Sequence, residues 1–292
     1  MKKILIVYNP DKKEAKWEAD LLERFIEQKG AGSSKLRSDD AGKSKNLSLF
    51  SRNDICLALG GDGTILKIAE TASRAGIPVV GVNVGSLGFL SEFDTQEIYE
   101  EIKKIAEGKF RTEKRILLDI SYSKTKGRRH TLIKSGLTAL NDCVVRSGSS
   151  GRVILLNLKI GNIPVSGYTA DGLIVATPTG STAYSLASGG PIINPALNVL
   201  VITPISPHAL SQRPIIVSSD EELSIEIPEY KSNYNIIISV DGQRNFEVTA
   251  PSEVRLKKSK LFLKLITNPG KGYYEILRKK LGWGSVPGKS VR

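Results

Sequence analysis

The stretch Asp54-Ile-Cys-Leu-Ala-Leu-Gly-Gly-Asp-Gly-Thr64 determines the fold class, because a continuous apolar run changes abruptly into a glycine-rich turn. The apolar run over Asp54–Leu59 predicts a strand that is buried on both faces, as strands of parallel sheets are. A helical pattern follows over Thr64–Arg74, and another apolar strand follows over Ile77–Val82. Strand, turn, helix and strand in this order predict a Rossmann-like α/β sheet with crossover helices.

The same alternation extends on both sides of this stretch. Ile4–Tyr8 is a short apolar strand, and Glu14–Gln28 has helical periodicity. We expect the core-facing side chains of that helix to be Trp17, Leu21, Leu22, Phe25 and Ile26. Asp94 and Glu97 have the spacing of a capping box, which predicts the start of a further helix. Residues 30–52, rich in Gly, Ser, Lys and Asp, predict a loop or a poorly ordered segment.

Beyond about Glu113 the pattern changes to strand-like runs separated by turn residues, which predicts a β-rich, sandwich-like domain. The predicted domains are an α/β domain over 1–113, a β-rich domain over 114–268 and a C-terminal segment over 269–292. Within the β-rich domain we expect one long strand over Thr131–Val145 and one helix over Ser181–Ser188. A last helix is predicted over Tyr273–Leu281, and its packing against the first domain stays open.

The composition is that of an ordinary globular protein with an excess of basic residues. Of the 292 residues, 40% are hydrophobic and 25% are charged, so a packed core is expected and not a disordered chain. The net charge of +12 attracts anions, which leaves nucleic acid, anionic membranes and phosphorylated metabolites open as ligands. Cys56 and Cys143 lie in apolar runs, which predicts buried thiols and neither a disulfide framework nor a metal site. Few cysteines, no targeting segment and no membrane-spanning run together predict a cytoplasmic protein.

The glycine-rich turn has the composition of a phosphate-binding loop. Gly60, Gly61 and Gly63 have no Cβ atoms, so backbone N–H groups can approach phosphate oxygens, and the helix from Thr64 adds free donors. Asp62 is unusual here because a carboxylate repels phosphate. Either it accepts the proton of an attacking hydroxyl or holds Mg²⁺, or it only caps the helix after a tight turn. The string is neither a Walker A loop nor a dinucleotide fingerprint.

Three further polar segments are candidates for chemistry, and each also has a structural explanation. Tyr168–Gly172 and Gly180–Pro191 carry hydroxyls near a helix start, which suits a ribose or a ring edge, or a capped structural helix. Asn141-Asp142 interrupts an apolar strand and needs partners, from a ligand or from a turn or bulge. Asp241-Gly242-Gln243 follows a strand and has the composition of a hairpin turn.

Together these segments resemble the NAD kinase family in order and spacing, from about Lys2 to Leu281. Gly-Gly-Asp-Gly alone is shared with phosphofructokinases and lipid kinases, whereas the long Thr177–Ser185 string is far more specific. The resemblance implies an α/β nucleotide-binding domain and a β-rich NAD-binding domain, with the active site between them. The segments that carry it are Gly60–Thr64, Asn83–Leu90, Asn141-Asp142, Asp171-Gly172, Thr177–Ser185 and Asp241–Gln243.

The resemblance implies an enzyme that transfers the γ-phosphoryl group of ATP, or a phosphoryl group of polyphosphate, to the 2′-hydroxyl of the adenosine ribose of NAD. It implies that Asp62 is the catalytic base and that Mg²⁺ or another divalent ion arrives with ATP, without a protein cage. It also implies a homodimer or homotetramer that binds neither nucleic acid nor membranes. The implied phosphate loop consists of Gly60, Gly61, Gly63 and Thr64. The implied NAD-binding residues are Asp62, Gly63, Lys67, Asn141, Asp142, Arg152, Thr169, Asp171, Thr182, Ala183, Tyr184, Ser185, Leu186, Ala187 and Gln243.

The sequence departs from the family pattern at a few positions, and two other functions stay open. Asp142 stands where the family often has Glu, and Arg152 and Thr169 occupy variable positions. One alternative is a lipid or sugar kinase that shares the glycine loop, which activity on diacylglycerol or fructose 6-phosphate would support. The other is a non-enzymatic nucleotide- or nucleic-acid-binding protein, which the basic charge favours and the 6% aromatic content disfavours.

Overall fold

The computed structural model describes residues 2–43, 46–85, 88–127, 129–148, 153–230 and 235–283. The chain divides into two compact units. The first contains the chain up to Lys114 together with the chain from Leu263 onward, and the second runs from Arg115 to Phe262. The chain therefore returns to the first unit before the predicted boundary at residue 268.

The first unit is built around a parallel sheet. Its strands have the order β2-β1-β3-β4, with β5 and Leu265, from the C-terminal part of the same unit, also paired with β4, and each of these pairings is parallel. Carboxyl ends of parallel strands lie at one edge of the sheet, which is where ligands bind in open α/β sheets. The predicted alternation of strands and helices is confirmed. In chain order the elements are β1 (Ile4–Tyr8), α1 (Lys13–Gln28), β2 (Ser33–Arg37), α2 (Leu47–Ser51), β3 (Ile55–Leu59), α3 (Asp62–Ala75), β4 (Val79–Asn83), β5 (Phe93–Asp94) and α4 (Thr95–Ala106).

Helix α1 packs on the core through side chains at helical spacing, but the buried face differs from the predicted one. The prediction that Trp17 faces the core is wrong, because 64% of this residue is exposed. Trp17 lies two positions from both Ala15 and Ala19, which are buried, so its side chain points roughly 200° around the helix axis from theirs. Phe25 is half-buried and packs edge-on against Tyr99 at 5.0 Å. The buried apolar residues of α1 are Ala15, Ala19, Leu22 and Ile26.

Helix α4 begins with the predicted capping box. The Asp94 carboxylate accepts hydrogen bonds from the backbone N–H groups of Gln96 and Glu97, both at 2.9 Å. The Glu97 carboxylate accepts the backbone N–H of Asp94, also at 2.9 Å. These bonds provide partners for N–H groups that the first turn of a helix otherwise leaves unpaired.

The prediction of a loop or poorly ordered segment over residues 30–52 is wrong, because β2 and α2 lie within it. Among the described strands, β2 pairs with β1 alone at the edge of the sheet, so its residues need no continuous apolar run. Lys35 on β2 forms ion pairs with Asp20 at 2.5 Å and with Glu23 at 2.6 Å. Backbone pairing and these ion pairs thus order a segment whose composition resembles a loop.

The second unit is β-rich, as predicted. One sheet has the strand order β7-β6-β17-β14-β9-β10 and the other has β13-β12-β11-β8-β15-β16. Their elements, of which the first and last strands extend past the limits of the unit, are β6 (Thr112–Lys126), β7 (Arg129–Ala139), β8 (Asp142–Ser147), β9 (Ile154–Ile160), β10 (Ile163–Ala170), β11 (Gly172–Ala176), α5 (Tyr184–Ala187), β12 (Val199–Ile205), β13 (Ile215–Ser218), β14 (Leu223–Ile227), β15 (Ile236–Val240), β16 (Arg244–Val248) and β17 (Ser252–Ile266).

Side chains from both of these sheets form one hydrophobic core. Leu156 of β9 and Ile225 of β14 belong to it from the first sheet, and Val145 of β8 and Val175 of β11 from the second. The last described helix is α6 (Tyr273–Leu281), which has the predicted bounds and belongs to the first unit.

Three elements of the second unit differ from the prediction. The single strand expected over Thr131–Val145 is wrong, because β7 ends at Ala139 and β8 begins at Asp142. Strand β10 was not predicted, since its Pro and Gly residues interrupt the apolar alternation that indicates a strand. The helix expected over Ser181–Ser188 is a 3₁₀ turn at Gly180–Thr182 followed by the short α5.

Both cysteines are buried and free, as predicted, and burial raises the pKa of each thiol. Within the part of the chain that the structure describes, no helix is long and apolar enough to cross a membrane.

Candidate active site

The glycine loop joins β3 to α3 at the carboxyl edge of the parallel sheet. Its backbone needs glycine, because φ is 149° at Gly60 and 143° at Gly61. A Cβ atom at Gly60 would also lie only 2.5 Å from the Thr64 hydroxyl oxygen. Helix α3 begins at Asp62, earlier than predicted, so Gly63 lies in its first turn. The N–H groups of a first turn have no acceptor within the helix, which makes this loop suitable for a phosphate group.

Asp62 does not cap α3, since Gly61 occupies the cap position and no side chain caps the helix. Instead, its carboxylate binds the segment after β4. Oδ1 accepts the N–H of Leu90 at 3.0 Å, the N–H of Ser91 at 3.1 Å and the Ser91 hydroxyl at 3.0 Å. Among the described residues, Oδ2 accepts a single hydrogen bond, from the N–H of Phe89 at 2.7 Å. A carboxylate offers about four lone-pair positions, so Oδ2 keeps one of its two for another donor.

Gly88 makes this arrangement possible. A Cβ atom there would lie 1.9 Å from Asp62 Oδ1 and 2.3 Å from the Ser91 hydroxyl. Asn83–Leu90 is one of the segments that carry the family resemblance, and at Gly88 glycine is needed to admit the Asp62 carboxylate. Ser86 and Leu87 of the same segment lie outside the described residues.

Asn83, the last residue of β4, carries an acceptor without a partner. Its Nδ2 donates to the Gly85 carbonyl at 2.9 Å, whereas its buried Oδ1 has no hydrogen-bond partner among the described residues. The position of a Cβ atom on Gly61 is 4.0 Å from this Oδ1, so the free acceptor faces the glycine loop. Buried polar groups are nearly always hydrogen-bonded, which makes Asn83 Oδ1 a candidate contact for a ligand or a water.

Two lysines lie near this loop, Lys67 by its position in the sequence and Lys12 by its contacts in the structure. Lys67 on α3 was implied as a site residue, and its ammonium forms an ion pair with Asp39 at 2.7 Å. Lys12 was missed, and its ammonium donates to the carbonyls of Gly60 at 2.7 Å and Val84 at 2.9 Å. No local motif marks Lys12, because its partners are 48 and 72 residues away in the chain.

The second unit contains a cavity of about 430 Å³. Of the implied site residues it brings together Asn141, Asp142, Ala183 and Tyr184. The remaining lining residues are Val144, Arg146, Ser239, Asp241, Gly242 and Asn245. Arg146, Ser239 and Asn245 were missed, since each lies in a strand and carries no recognisable motif.

Asp241 shapes this cavity. Its carboxylate accepts the backbone N–H groups of Leu140 at 2.8 Å, Asn141 at 2.7 Å and Asp142 at 3.1 Å. The hairpin predicted at Asp241-Gly242 joins β15 to β16 and is confirmed, with φ of 54° at Asp241 and 64° at Gly242. The three bonds explain why the expected strand is broken at Leu140 and Asn141, since these N–H groups bond a side chain instead of a neighbouring strand.

The buried carboxyl group of Asp142 and the half-buried one of Asp241 therefore both line the cavity. Burial, reinforced by the nearby charge of Asp241, raises the pKa of Asp142 to about 7. Burial also raises the pKa of Asp241 to about 6, against the opposing effect of its three backbone donors. At neutral pH a carboxyl group with such a pKa is partly protonated and can donate as well as accept a hydrogen bond.

The Thr177–Ala187 segment packs against Asn141. The Thr177 hydroxyl donates to the Leu140 carbonyl at 2.5 Å, and a Cβ atom on Gly180 would lie 2.1 Å from the Asn141 carbonyl oxygen. The Ser185 hydroxyl bonds that of Thr203 at 2.8 Å. Ala183 and Tyr184 line the cavity. Of the other implied residues in this segment, Thr182, Ser185, Leu186 and Ala187 are not among the described residues that line it.

The other implied residues lie elsewhere in the second unit. Thr169 is exposed on β10, and its carbonyl accepts the His208 N–H at 2.9 Å. Asp171 donates its N–H to the Ile205 carbonyl at 3.0 Å. Gln243 is exposed in the β15–β16 turn. Arg152 lies outside the residues that the structure describes.

Two family models match the chain. The ATP-NAD kinase N-terminal domain matches residues 48–110, and the ATP-NAD kinase C-terminal domain matches residues 140–268. A protein named NAD kinase from Thermoanaerobacter sp. (strain X514) is 40% identical over 248 residues, which are 85% of each chain. Another NAD kinase, from Alcanivorax borkumensis, is 41% identical over 235 residues, which are 80% of this chain and 76% of the relative.

Solved structures agree with these matches. An NAD kinase from Archaeoglobus fulgidus in complex with ATP superposes with a TM-score of 0.74 at 25% identity, covering 96% of this chain and 97% of that one. Yeast NADH kinase complexed with NADH has a TM-score of 0.78 at 23% identity, covering 98% of this chain and 89% of that one, a likeness of fold alone.

Proposed function

This chain belongs to the NAD kinase family, and we propose that it transfers the γ-phosphoryl group of ATP to the 2′-hydroxyl of the adenosine ribose of NAD. Family membership decides between this activity and the two alternatives, the lipid or sugar kinase and the non-enzymatic binding protein. The product of the reaction is NADP.

One observation carries the proposed chemistry: the Asp62 carboxylate lies in the glycine loop with one lone-pair position of Oδ2 open. This oxygen accepts the proton of the 2′-hydroxyl as the hydroxyl oxygen attacks the γ-phosphorus, and the bond from that phosphorus to the bridging β-phosphate oxygen breaks to release ADP. The four donors from residues 89–91 fix the orientation of the carboxylate, so no rearrangement is needed during the reaction. A general base of this kind contributes about 10²- to 10⁴-fold in rate.

The rest of phosphoryl transfer depends on positioning and charge. The backbone N–H groups of residues 61–63 hold phosphate oxygens, since those of Gly60 and Thr64 already donate to the carbonyls of Val82 and Gly61. In the second unit, Asn141, Asp142 and Tyr184 bind the dinucleotide through the cavity of about 430 Å³. A partly protonated Asp142 suits this task, because ribose hydroxyls both donate and accept hydrogen bonds.

We propose that a divalent cation enters this site together with ATP. Among the residues that the structure describes, no group of three or more His, Cys, Asp and Glu side chains could hold a metal ion. Asn83 Oδ1, which has no hydrogen-bond partner among the described residues, suits a water molecule bound to the cation. Mg²⁺ bound to the phosphates would neutralise charge on the transferred group.

The assembly and location of the protein are part of the same proposal. The resemblance to the family supports a homodimer or homotetramer, with neither nucleic acid nor a membrane as a partner. Two buried free thiols are compatible with a reducing cytoplasm.

The test is an assay of the purified chain with Mg²⁺-ATP and NAD, in which the expected result is formation of NADP. Parallel reactions with polyphosphate as donor, and with diacylglycerol or fructose 6-phosphate as acceptor, determine the substrate classes. Phosphorylation of either other acceptor without formation of NADP would overturn the proposal.

A further inference from the structure

The ammonium of Lys12 joins the ends of two neighbouring strands at the glycine loop. Lys12 lies between β1 and α1, and its side chain reaches the carbonyls of Gly60 after β3 and Val84 after β4. These two hydrogen bonds, of 2.7 and 2.9 Å, place a positive charge at the carboxyl edge of the parallel sheet.

No negative group in the described chain neutralises this charge. Two other well-shielded lysines have carboxylate partners: Lys35 bonds Asp20 at 2.5 Å, and Lys271 bonds Glu97 at 2.6 Å. For Lys12, by contrast, the polar contacts among described residues are the two neutral carbonyls. A partly buried ammonium without a counter-ion is costly, which makes this position attractive to an anion.

Within the described residues, the ammonium also keeps one donor without a partner. It has three N–H groups, of which two bind the carbonyls. A side chain on Gly85 would begin 3.6 Å from the Lys12 nitrogen, and glycine leaves that side open. The free N–H group and the free donors of the first turn of α3 belong to the same loop.

We propose that Lys12 binds a phosphate oxygen of the donor nucleotide through its third N–H group while it holds the glycine loop through the other two. This inference rests on the proposed function, since it assumes that the loop binds the phosphates of the donor. It adds a positively charged contact to a loop that otherwise supplies only neutral backbone donors. A simpler role would be purely structural, in which Lys12 connects the two strand ends and does not touch the ligand.

Calorimetric titration with inorganic tripolyphosphate, a probe with phosphates and no nucleoside, separates the two roles. The variants are Lys12→Met, which keeps chain length but removes the charge, and Lys13→Met as the matched control on the exposed neighbouring lysine. We expect Lys12→Met to bind tripolyphosphate about ten- to a hundredfold more weakly, the effect of one charge-assisted hydrogen bond. The difference should shrink at high salt, because screening weakens the charge contact. Lys13→Met should bind like the wild type.

Steady-state kinetics and melting temperatures complete the test. A phosphate contact raises the KM for ATP in Lys12→Met and leaves the KM for NAD unchanged. Should Lys12→Met melt too early for titration, Lys12→Arg keeps the charge and is expected to retain most of the affinity, with the same salt dependence as the wild type. Equal tripolyphosphate affinity in Lys12→Met and Lys13→Met would overturn the inference, as would a wild type that binds no tripolyphosphate.

The failures of the two proposals are distinguishable. If the wild type makes NADP but Lys12→Met binds tripolyphosphate normally, only the role of Lys12 is wrong. If Lys12→Met loses tripolyphosphate affinity but the wild type makes no NADP, the phosphate contact stands and the proposed reaction is wrong.

Discussion

Replacement of Asp62 by asparagine should reduce both activity and stability, because the carboxylate is also the acceptor that holds residues 89–91. An amide offers one oxygen, and the best orientation keeps that oxygen at the position of Oδ1, where three donors converge. The amide nitrogen then faces the N–H of Phe89, which now donates to Oδ2 at 2.7 Å. Two donors therefore oppose each other, and one charge-assisted hydrogen bond is lost.

The size of the stability effect follows from these contacts. Loss of a hydrogen bond to a charged group costs about 1.5–3 kcal/mol, and the three remaining bonds weaken when the charge is removed. We expect a total of about 3 kcal/mol, which corresponds to a decrease in melting temperature of roughly 5–10 °C for a chain of this size. Loss of the base should reduce kcat by about 10²- to 10⁴-fold.

The matched control is Ser91→Ala, which removes one donor and leaves the carboxylate in place. It should cost about 1 kcal/mol and keep turnover near the wild-type value. Melting is followed by calorimetry, and NADP formation is measured at a temperature where all three proteins are folded. The reasoning is refuted if Asp62→Asn turns over NAD at the wild-type rate, or if it melts together with the wild type.

Two further predictions concern the cavity of the second unit. Burial raises the pKa of Asp142 to about 7, so the protonated carboxyl group stabilises the fold fully below the unfolded pKa near 4, and this stabilisation is lost as the pH rises to about 7. The melting temperature of Asp142→Asn should therefore fall less than that of the wild type between about pH 5 and about pH 8. Equal decreases in the two proteins would contradict the pKa shift. Gly180→Ala would place a Cβ atom 2.1 Å from the Asn141 carbonyl oxygen and should lower the free energy of unfolding in urea by about 1–3 kcal/mol. The control Gly42→Ala, whose Cβ atom would have no other atom within 4 Å, should be nearly neutral. Equal unfolding midpoints would show that the segment around Gly180 can move aside.

Features with a local cause were predicted well. The capping box at Asp94 and the bounds of α6 depend on residues within one or two helical turns. The fully apolar β3 indicated a buried parallel strand, and the glycine loop after it indicated a phosphate site. In the second unit, the segments that carry the family resemblance also predicted residues that lie together, because Asn141, Asp142, Ala183 and Tyr184 line one cavity.

Features that depend on distant partners were missed or wrong. Strand β2 is ordered by pairing with β1, and the interruption between β7 and β8 is caused by Asp241, about a hundred residues further along the chain. Trp17 was assigned to the core because it is apolar, although the rotation of α1 leaves it exposed. None of these effects has a signal in the neighbouring residues.

The sequence by itself determined the α/β and β-rich units, the glycine loop and the membership of Asp62 in it, since periodicity and glycine conformations act over a few residues. Only the tertiary structure decided how these parts are used. It showed that Asp62 accepts four donors from residues 89–91, that Asn83 keeps a free acceptor and that Lys12 joins two strand ends. The physical reason is that hydrogen bonds and charges act at contact distance, and contact between residues far apart in the chain arises only when the sheet has formed.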